Sequence, residues 1–198
     1  MDSLEMDAEY EWDLDEINSL EFWLDAISFV LPHIEDLPLE QQIEYVRTWG
    51  QTVAKARAMR VGEGGYNKEA VDFMADMVVA GKFGVVGPNI TRELYEYVRT
   101  FGVDQFLFEA RDVLKAAYPQ IRRASQYYLS IPADAYIDIV SYAAQGKYDD
   151  IRRYAEMLIE EGRSPRSVYF NLYYIARATG DREIYGIARE IERLSRKR

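Results

Sequence analysis

The side chains able to do chemistry are few in kind. The 198 residues include no cysteine and one histidine, His33. Thiolate nucleophiles, disulfides and zinc–thiolate sites are therefore excluded, and any Ser-His-Asp triad would have to use His33. His33 sits in LPHIEDLP, between Pro32 and Pro38. Nothing around it resembles a nucleophile elbow, so it reads as a solvent-facing residue of a turn. Carboxylates are plentiful. Glu69, Asp72 and Asp76 fall at steps of three and four and share one helix face. Brought together and desolvated, such groups suit Mg²⁺, Ca²⁺ or hydrolase chemistry. The same spacing is what a solvated face shows, and that reading is preferred. The DxDxDG calcium loop is absent. GKFGVVGPN, residues 81–89, lacks the Lys-Ser/Thr ending of a phosphate loop and any surrounding strand–GxGxxG–helix unit. It reads as a loop or a short β excursion. No cofactor and no metal site are implied. The chain is expected to be non-enzymatic, a carboxylate-dependent hydrolase being the enzymatic alternative.

Arginines set among tyrosines are more suggestive. IRRASQYY holds Arg122 and Arg123, and IRRYAEML holds Arg152 and Arg153. Arg163, Arg166 and Arg177 follow, then Arg196, Lys197 and Arg198. Guanidinium groups beside aromatic rings can bind nucleic acid through phosphate pairing and base stacking. They can equally form local salt bridges with Asp149, Asp150, Glu156 and Glu160. A third reading follows from the distribution of charge. Residues 1–46 hold 14 Asp or Glu and no Lys or Arg, whereas the rest of the chain holds the other 20 acids and all 24 bases. The net charge of −10 thus hides an acidic head on a mildly basic body. The overall sign argues against strong unassisted binding to nucleic acid. It favours an electrostatic partner for the head in the body of this or another copy.

The opening residues, MDSLEMDAEYEWDLDE, contain eight acids and no base. Met6, Tyr10, Trp12 and Leu14 interrupt those charges. Aromatic anchors supply burial while acids steer and fix register, so residues 1–16 read as an arm that docks. Its anchors are Tyr10, Trp12 and Leu14, and the surface that receives it, or nucleic acid, comprises Arg122, Arg123, Arg152, Arg153, Arg163, Arg166, Arg196, Lys197 and Arg198.

The elements that must position these residues are helices almost throughout. Ile17, Leu20, Leu24, Ile27, Leu31 and Ile34 form one continuous face, widened by Trp23 and Val30. Asp15 or Asn18 can cap this helix and Pro32 should end it. A second helix opens at Pro38, with Ile43, Val46, Trp49 and Val53 inward, and ends at the glycines of VGEGG. Asn67, Thr91, Asp104 and Asp181 stand as caps of later helices. Pro119 restarts the chain, Asp134 and Asp149 begin two further helices, and Pro165 opens another. Sixteen tyrosines are expected mainly in the core, with an interface as the second use. The prediction is an all-α fold of about ten helices, with the arm at 1–16 and one helical domain at 17–198.

The C-terminal third, 132–198, reads as two helical hairpins whose glycines, Gly146 and Gly180, stand 34 positions apart. Tyr142, Gly146, Tyr148, Ala155, Gly162 and Pro165, then Tyr169, Asn171, Leu172, Gly180 and Ala188, resemble the pattern of tetratricopeptide and pentatricopeptide repeats. Ile151 departs from it, standing where a tetratricopeptide unit has a small residue. The resemblance implies a helical-repeat adaptor that binds a peptide or RNA.

No stretch approaches the roughly 20 apolar residues of a membrane span, and the acidic start is unlike a signal peptide. Cytoplasm or a virion are the expected settings, with no compartment fixed. The favoured function is a self-assembling structural or interaction protein, a homo-oligomer linked through its arm. A virion or nucleocapsid subunit fits that description.

Overall fold

The computed structural model describes residues 18–61, 66–126 and 128–196. Among them are nine α-helices and no strand, as the all-α expectation requires. They are α1 (Leu20–Ser28), α2 (Leu39–Val61), α3 (Lys68–Phe83), α4 (Ile90–Phe101), α5 (Gln105–Ala124), α6 (Ala133–Ala144), α7 (Tyr148–Glu160), α8 (Pro165–Thr179) and α9 (Arg182–Ser195), with a 3-10 turn at Leu31–His33. Residues 1–16, with the anchors Tyr10, Trp12 and Leu14, lie outside the described residues, as do Lys197 and Arg198.

Local chemistry sets most helix starts. Asn67 accepts from the Ala70 N–H at 3.0 Å and Asp104 from that of Leu107 at 3.0 Å. Asp181 accepts from the N–H groups of Glu183 and Ile184 at 2.9 and 3.2 Å. Each satisfies donors that the first helical turn leaves orphaned. Pro165 stands at the start of α8 behind the cap Ser164.

Tertiary contacts override local signals elsewhere. The first helix is shorter than its apolar stripe. Ser19 caps it, because the Asn18 side chain is engaged by Arg57 at 2.9 Å. It ends at Ser28, and Pro32 lies in the 3-10 turn, leaving Phe29 81% exposed. Thr91 caps nothing: Asn89 precedes α4, and the Thr91 hydroxyl meets the Tyr136 hydroxyl at 2.8 Å inside the core. Pro119 lies within α5 rather than restarting the chain. Both Pro119 and Lys115, whose carbonyl loses its donor there, are exposed, while Leu114, Ala117, Tyr118 and Ile121 hold the buried face. Asp134 and Asp149 fall in first turns, with Pro132 and Lys147 at the cap positions. No β excursion forms at 81–89. Gly84, at φ 66°, closes α3 in the left-handed conformation that glycine adopts without steric cost.

α3 is the centre of the N-terminal half and packs against α1, α2, α4 and α5. Every residue from Ala70 to Ala80 except Asp72 is buried, which is why its apolar residues surround it rather than forming a stripe. α2 approaches it closely. A Cβ on Gly50 would stand 3.1 Å from the Ala75 Cα. The inner face of α2 is Val46, Gly50, Ala54 and Ala58, with Ile43, Trp49 and Val53 only partly buried. α4 joins this half to the rest through α6 and α8, and α8 pairs with α9. One apolar cluster runs from Leu20 to Ile191.

Among the described residues four tyrosines, Tyr95, Tyr97, Tyr118 and Tyr136, are buried, each with a hydroxyl partner. Tyr97 donates to Asp104 at 2.8 Å, Tyr95 to Asp181 at 2.9 Å and Tyr118 to the Ile131 carbonyl at 2.7 Å. Burial raises the Tyr118 hydroxyl to about 12. Arg57 is one of the buried charged residues of this core. It reaches Asp104, the Tyr97 hydroxyl at 3.1 Å and the Phe101 ring at 4.8 Å. Sequence periodicity carries no sign of that arginine.

Candidate functional site: an arginine–tyrosine face and an acidic cleft

The arginines singled out by sequence divide into three groups. Those of α7 pair locally: Arg152 with Asp149 at 3.1 Å and Glu190 at 3.2 Å, Arg153 with Asp150 at 3.6 Å. Arg196 likewise meets Glu192 at 2.8 Å. A second group braces the segment before α6. Arg122 donates to the Leu129 carbonyl at 2.9 Å and Arg163 to the Ser130 carbonyl at 2.6 Å. Asn171, buried in α8, holds the same segment by accepting from the Ser130 N–H at 2.7 Å. The third group has neither an ion pair nor a bracing hydrogen bond among the described residues: Arg123, Arg166 and Arg177.

Arg166 and Arg177 of this last group lie on α8, whose outer side is aromatic. Ring centroids step from Tyr128 to Phe170 (5.9 Å), Phe170 to Tyr169 (5.1 Å), Tyr169 to Tyr173 (5.9 Å) and Tyr173 to Tyr185 (5.9 Å). Arg166 lies over Phe170 at 5.7 Å and Arg189 over Tyr185 at 5.2 Å. Tyr128 and Tyr185, the two ends, are 42% and 40% exposed. Tyr173 and Arg177 are shared by two clefts, one of ≈ 390 Å³ bordered also by Gln126 and Tyr128, the other of ≈ 320 Å³ bordered also by Arg182 and Tyr185. Gln126 stands at φ 54°, a left-handed conformation that costs a non-glycine residue about 1–3 kcal/mol. Such rings present flat apolar area with polar tips at low entropic cost, and the guanidiniums without ion pairs can donate to carboxylates.

The carboxylates of α3 are not a uniformly solvated face. Asp76 is buried, accepting from Arg47 Nε at 3.2 Å and the Gly87 N–H at 3.2 Å. Glu93, from the first turn of α4, is 7% exposed, and its Oε2 is buried with no hydrogen-bond partner. Desolvation first, and the neighbouring Asp76 second, push the Glu93 carboxyl up to about 9. Asp72, on the rim, accepts from Gln51 at 2.8 Å and pairs with Lys68. These groups border a cleft of ≈ 190 Å³. A Cβ at Gly87 would lie 2.4 Å from Asp76 Oδ2, so any other residue there would have to displace that carboxylate from the Gly87 N–H and Arg47. Spacing along α3 pointed to Asp72 and Asp76. Glu93, Arg47 and Gly87 come from other elements and carry no sequence signal. Glu69 turns instead to Arg92 at 3.7 Å. Among the described residues no three His, Cys, Asp or Glu side chains are grouped to hold a metal ion. His33 is exposed.

No helix among the described residues is long and apolar enough to cross a membrane. A family model described as ORF239-like matches residues 44–193, from α2 into α9 and so across both sites. No curated protein matches the chain.

Proposed function

The chain belongs to the ORF239-like family, and from that premise we propose that it is a non-enzymatic protein acting by self-association, with residues 1–16 of one copy docking on the α8–α9 face of another. A virion or nucleocapsid subunit is an assembly of that kind. The observation that carries the reading is the face itself. A run of partly exposed rings from Tyr128 to Tyr185 is flanked by Arg166 and Arg177, neither ion-paired among the described residues. An arm with eight acids and the anchors Tyr10, Trp12 and Leu14 complements it in charge and in aromatic character. Arg152, Arg153 and Arg196 already have carboxylate partners, and Arg122 and Arg163 brace the chain. The receiving surface is therefore narrower than the full set of basic residues.

A synthetic peptide of residues 1–16, titrated against protein lacking them, tests the reading. Binding is expected, and Trp12→Ala in the peptide should weaken it more than Asp13→Asn. A buried aromatic anchor typically costs about 2 kcal/mol or more on truncation, whereas an exposed charge pair contributes about 0–1 kcal/mol. The double variant Tyr173→Ala/Arg177→Ala should lose the peptide while keeping its helical spectrum. Undiminished binding to that variant contradicts the proposal. If single-stranded RNA binds the face instead, with affinity falling steeply as salt rises, the helical-repeat adaptor reading takes its place.

A further inference from the structure

The acidic cleft between α2, α3 and α4 has no part in the docking face, and its chemistry points to a ligand of its own. Asp76 is a charged acceptor whose donors are in place, Arg47 Nε and the Gly87 N–H. Glu93 is 7% exposed, and its Oε2 receives no donor from the fold: the one polar neighbour of its carboxyl is another carboxyl group, Asp76, which helps the ionised form not at all. A buried acceptor left without a donor is costly, by about 1–3 kcal/mol. Desolvation, the charge of Asp76 and a carboxyl–carboxylate hydrogen bond to it keep the proton on Glu93 near neutral pH.

We propose that the cleft binds a small organic cation, an ammonium or guanidinium group, which takes the place of the Glu93 proton. The charge count sets the class of ligand. Asp72 and Asp76 from α3 and Glu93 from α4 face Arg47 from α2 and Lys68 from α3. When Glu93 is ionised, three acids against two bases leave one negative charge, which a single monocation neutralises. Of the other charged groups nearby, Glu44 is 72% exposed and screened by solvent where it meets Arg47 at 3.8 Å, and Glu69 pairs with Arg92 at 3.7 Å. A metal ion suits the cleft less well, because no three of these carboxylates are grouped to ligate one. The ≈ 190 Å³ volume is below the roughly 300 Å³ at which drug-sized pockets begin. It suits a cationic head group or the end of a lysine or arginine side chain. The step balances simply: Glu93 releases its proton to solvent, and the N–H groups of the cation donate to the carboxylate left behind.

Calorimetry of the full chain with butylammonium and with ethylguanidinium, at pH 7 in two buffers of different ionisation enthalpy, tests this. The expected result is saturable binding with about one proton released per cation. Affinity should rise by up to tenfold per pH unit between about pH 6 and 8 as that proton becomes easier to lose. Glu93→Gln should abolish both binding and proton release. Asp72→Asn, on the rim, should lower affinity while leaving the proton release in place, which keeps the test open if Glu93→Gln fails to fold. Absence of saturable binding overturns the proposal. So does binding without proton release, binding undiminished by both substitutions, or uptake of Mg²⁺ with proton release where the organic cations have none.

Discussion

The α8–α9 face and the cleft beside α3 both depend on charged side chains, and they use them in opposite ways. On the face, arginines lie over rings at the surface, where salt and water screen each charge and its effect is spread over a wide area. In the cleft a few groups are desolvated against one another, and a single proton on Glu93 decides whether the site is neutral or charged. Arg57 is the extreme of the second kind: its side chain is 4% exposed and is held by Asp104, Tyr97 and Asn18. Arg152, by contrast, is 38% exposed although it contacts two carboxylates. Burial, more than the number of partners, determines what an arginine contributes to stability.

The largest effect should come from Arg57. Arg57→Ala empties a buried site among aromatic rings and leaves Asp104, itself 25% exposed, without its cation; the loss should approach the roughly 3–5 kcal/mol of a broken buried pair. Urea unfolding should show it as a lowered midpoint. A loss under about 1 kcal/mol would place Arg57 with the surface arginines.

Glu93→Gln should come next, with a defined sign. In the folded chain Glu93 holds its proton to about pH 9, while its ordinary value is 4.5. The folded state therefore binds more protons within that window. Stability is fullest below the lower value and falls as pH rises toward the upper one, by at most about 1.4 kcal/mol per pH unit. Glutamine does not titrate. The variant should therefore gain on the wild type steadily from pH 5 to 8 in denaturation curves, and parallel curves would mean that Glu93 titrates normally.

Gly87→Ala should destabilise by about 1–3 kcal/mol, because the new methyl group collides with the Asp76 carboxylate. Arg152→Ala should be the smallest, at about 0–1 kcal/mol and vanishing in high salt. A cost at Arg152 as large as that at Gly87 would break the contrast between surface and cleft.

What the sequence made legible was local. Asn67, Asp104 and Asp181 cap helices where a short polar side chain precedes an apolar period, because capping involves neighbours three residues apart. Thr91 offered the same signal and failed, since its hydroxyl has a better partner in Tyr136, 45 residues away. Pro119 signalled a restart, but the packed face around Leu114 and Ile121 carries the helix through it. The arginine pairs of α5 and α7 were visible as pairs, yet their division into paired, bracing and unpaired groups depends on which elements lie opposite. Asp72 and Asp76 were recognisable as one face of one helix. That α4 would bring Glu93 against Asp76, and that Arg47 would arrive from α2, is set by helix packing, which no spacing along α3 encodes.

The central claim is self-association through the arm, and the mass in solution of the chain with and without residues 1–16 tests it most directly. Sedimentation or light scattering at equal concentration should give an oligomer for the full chain and a smaller species for the truncated one, with helical circular dichroism retained in both. An identical mass for the two would contradict the account.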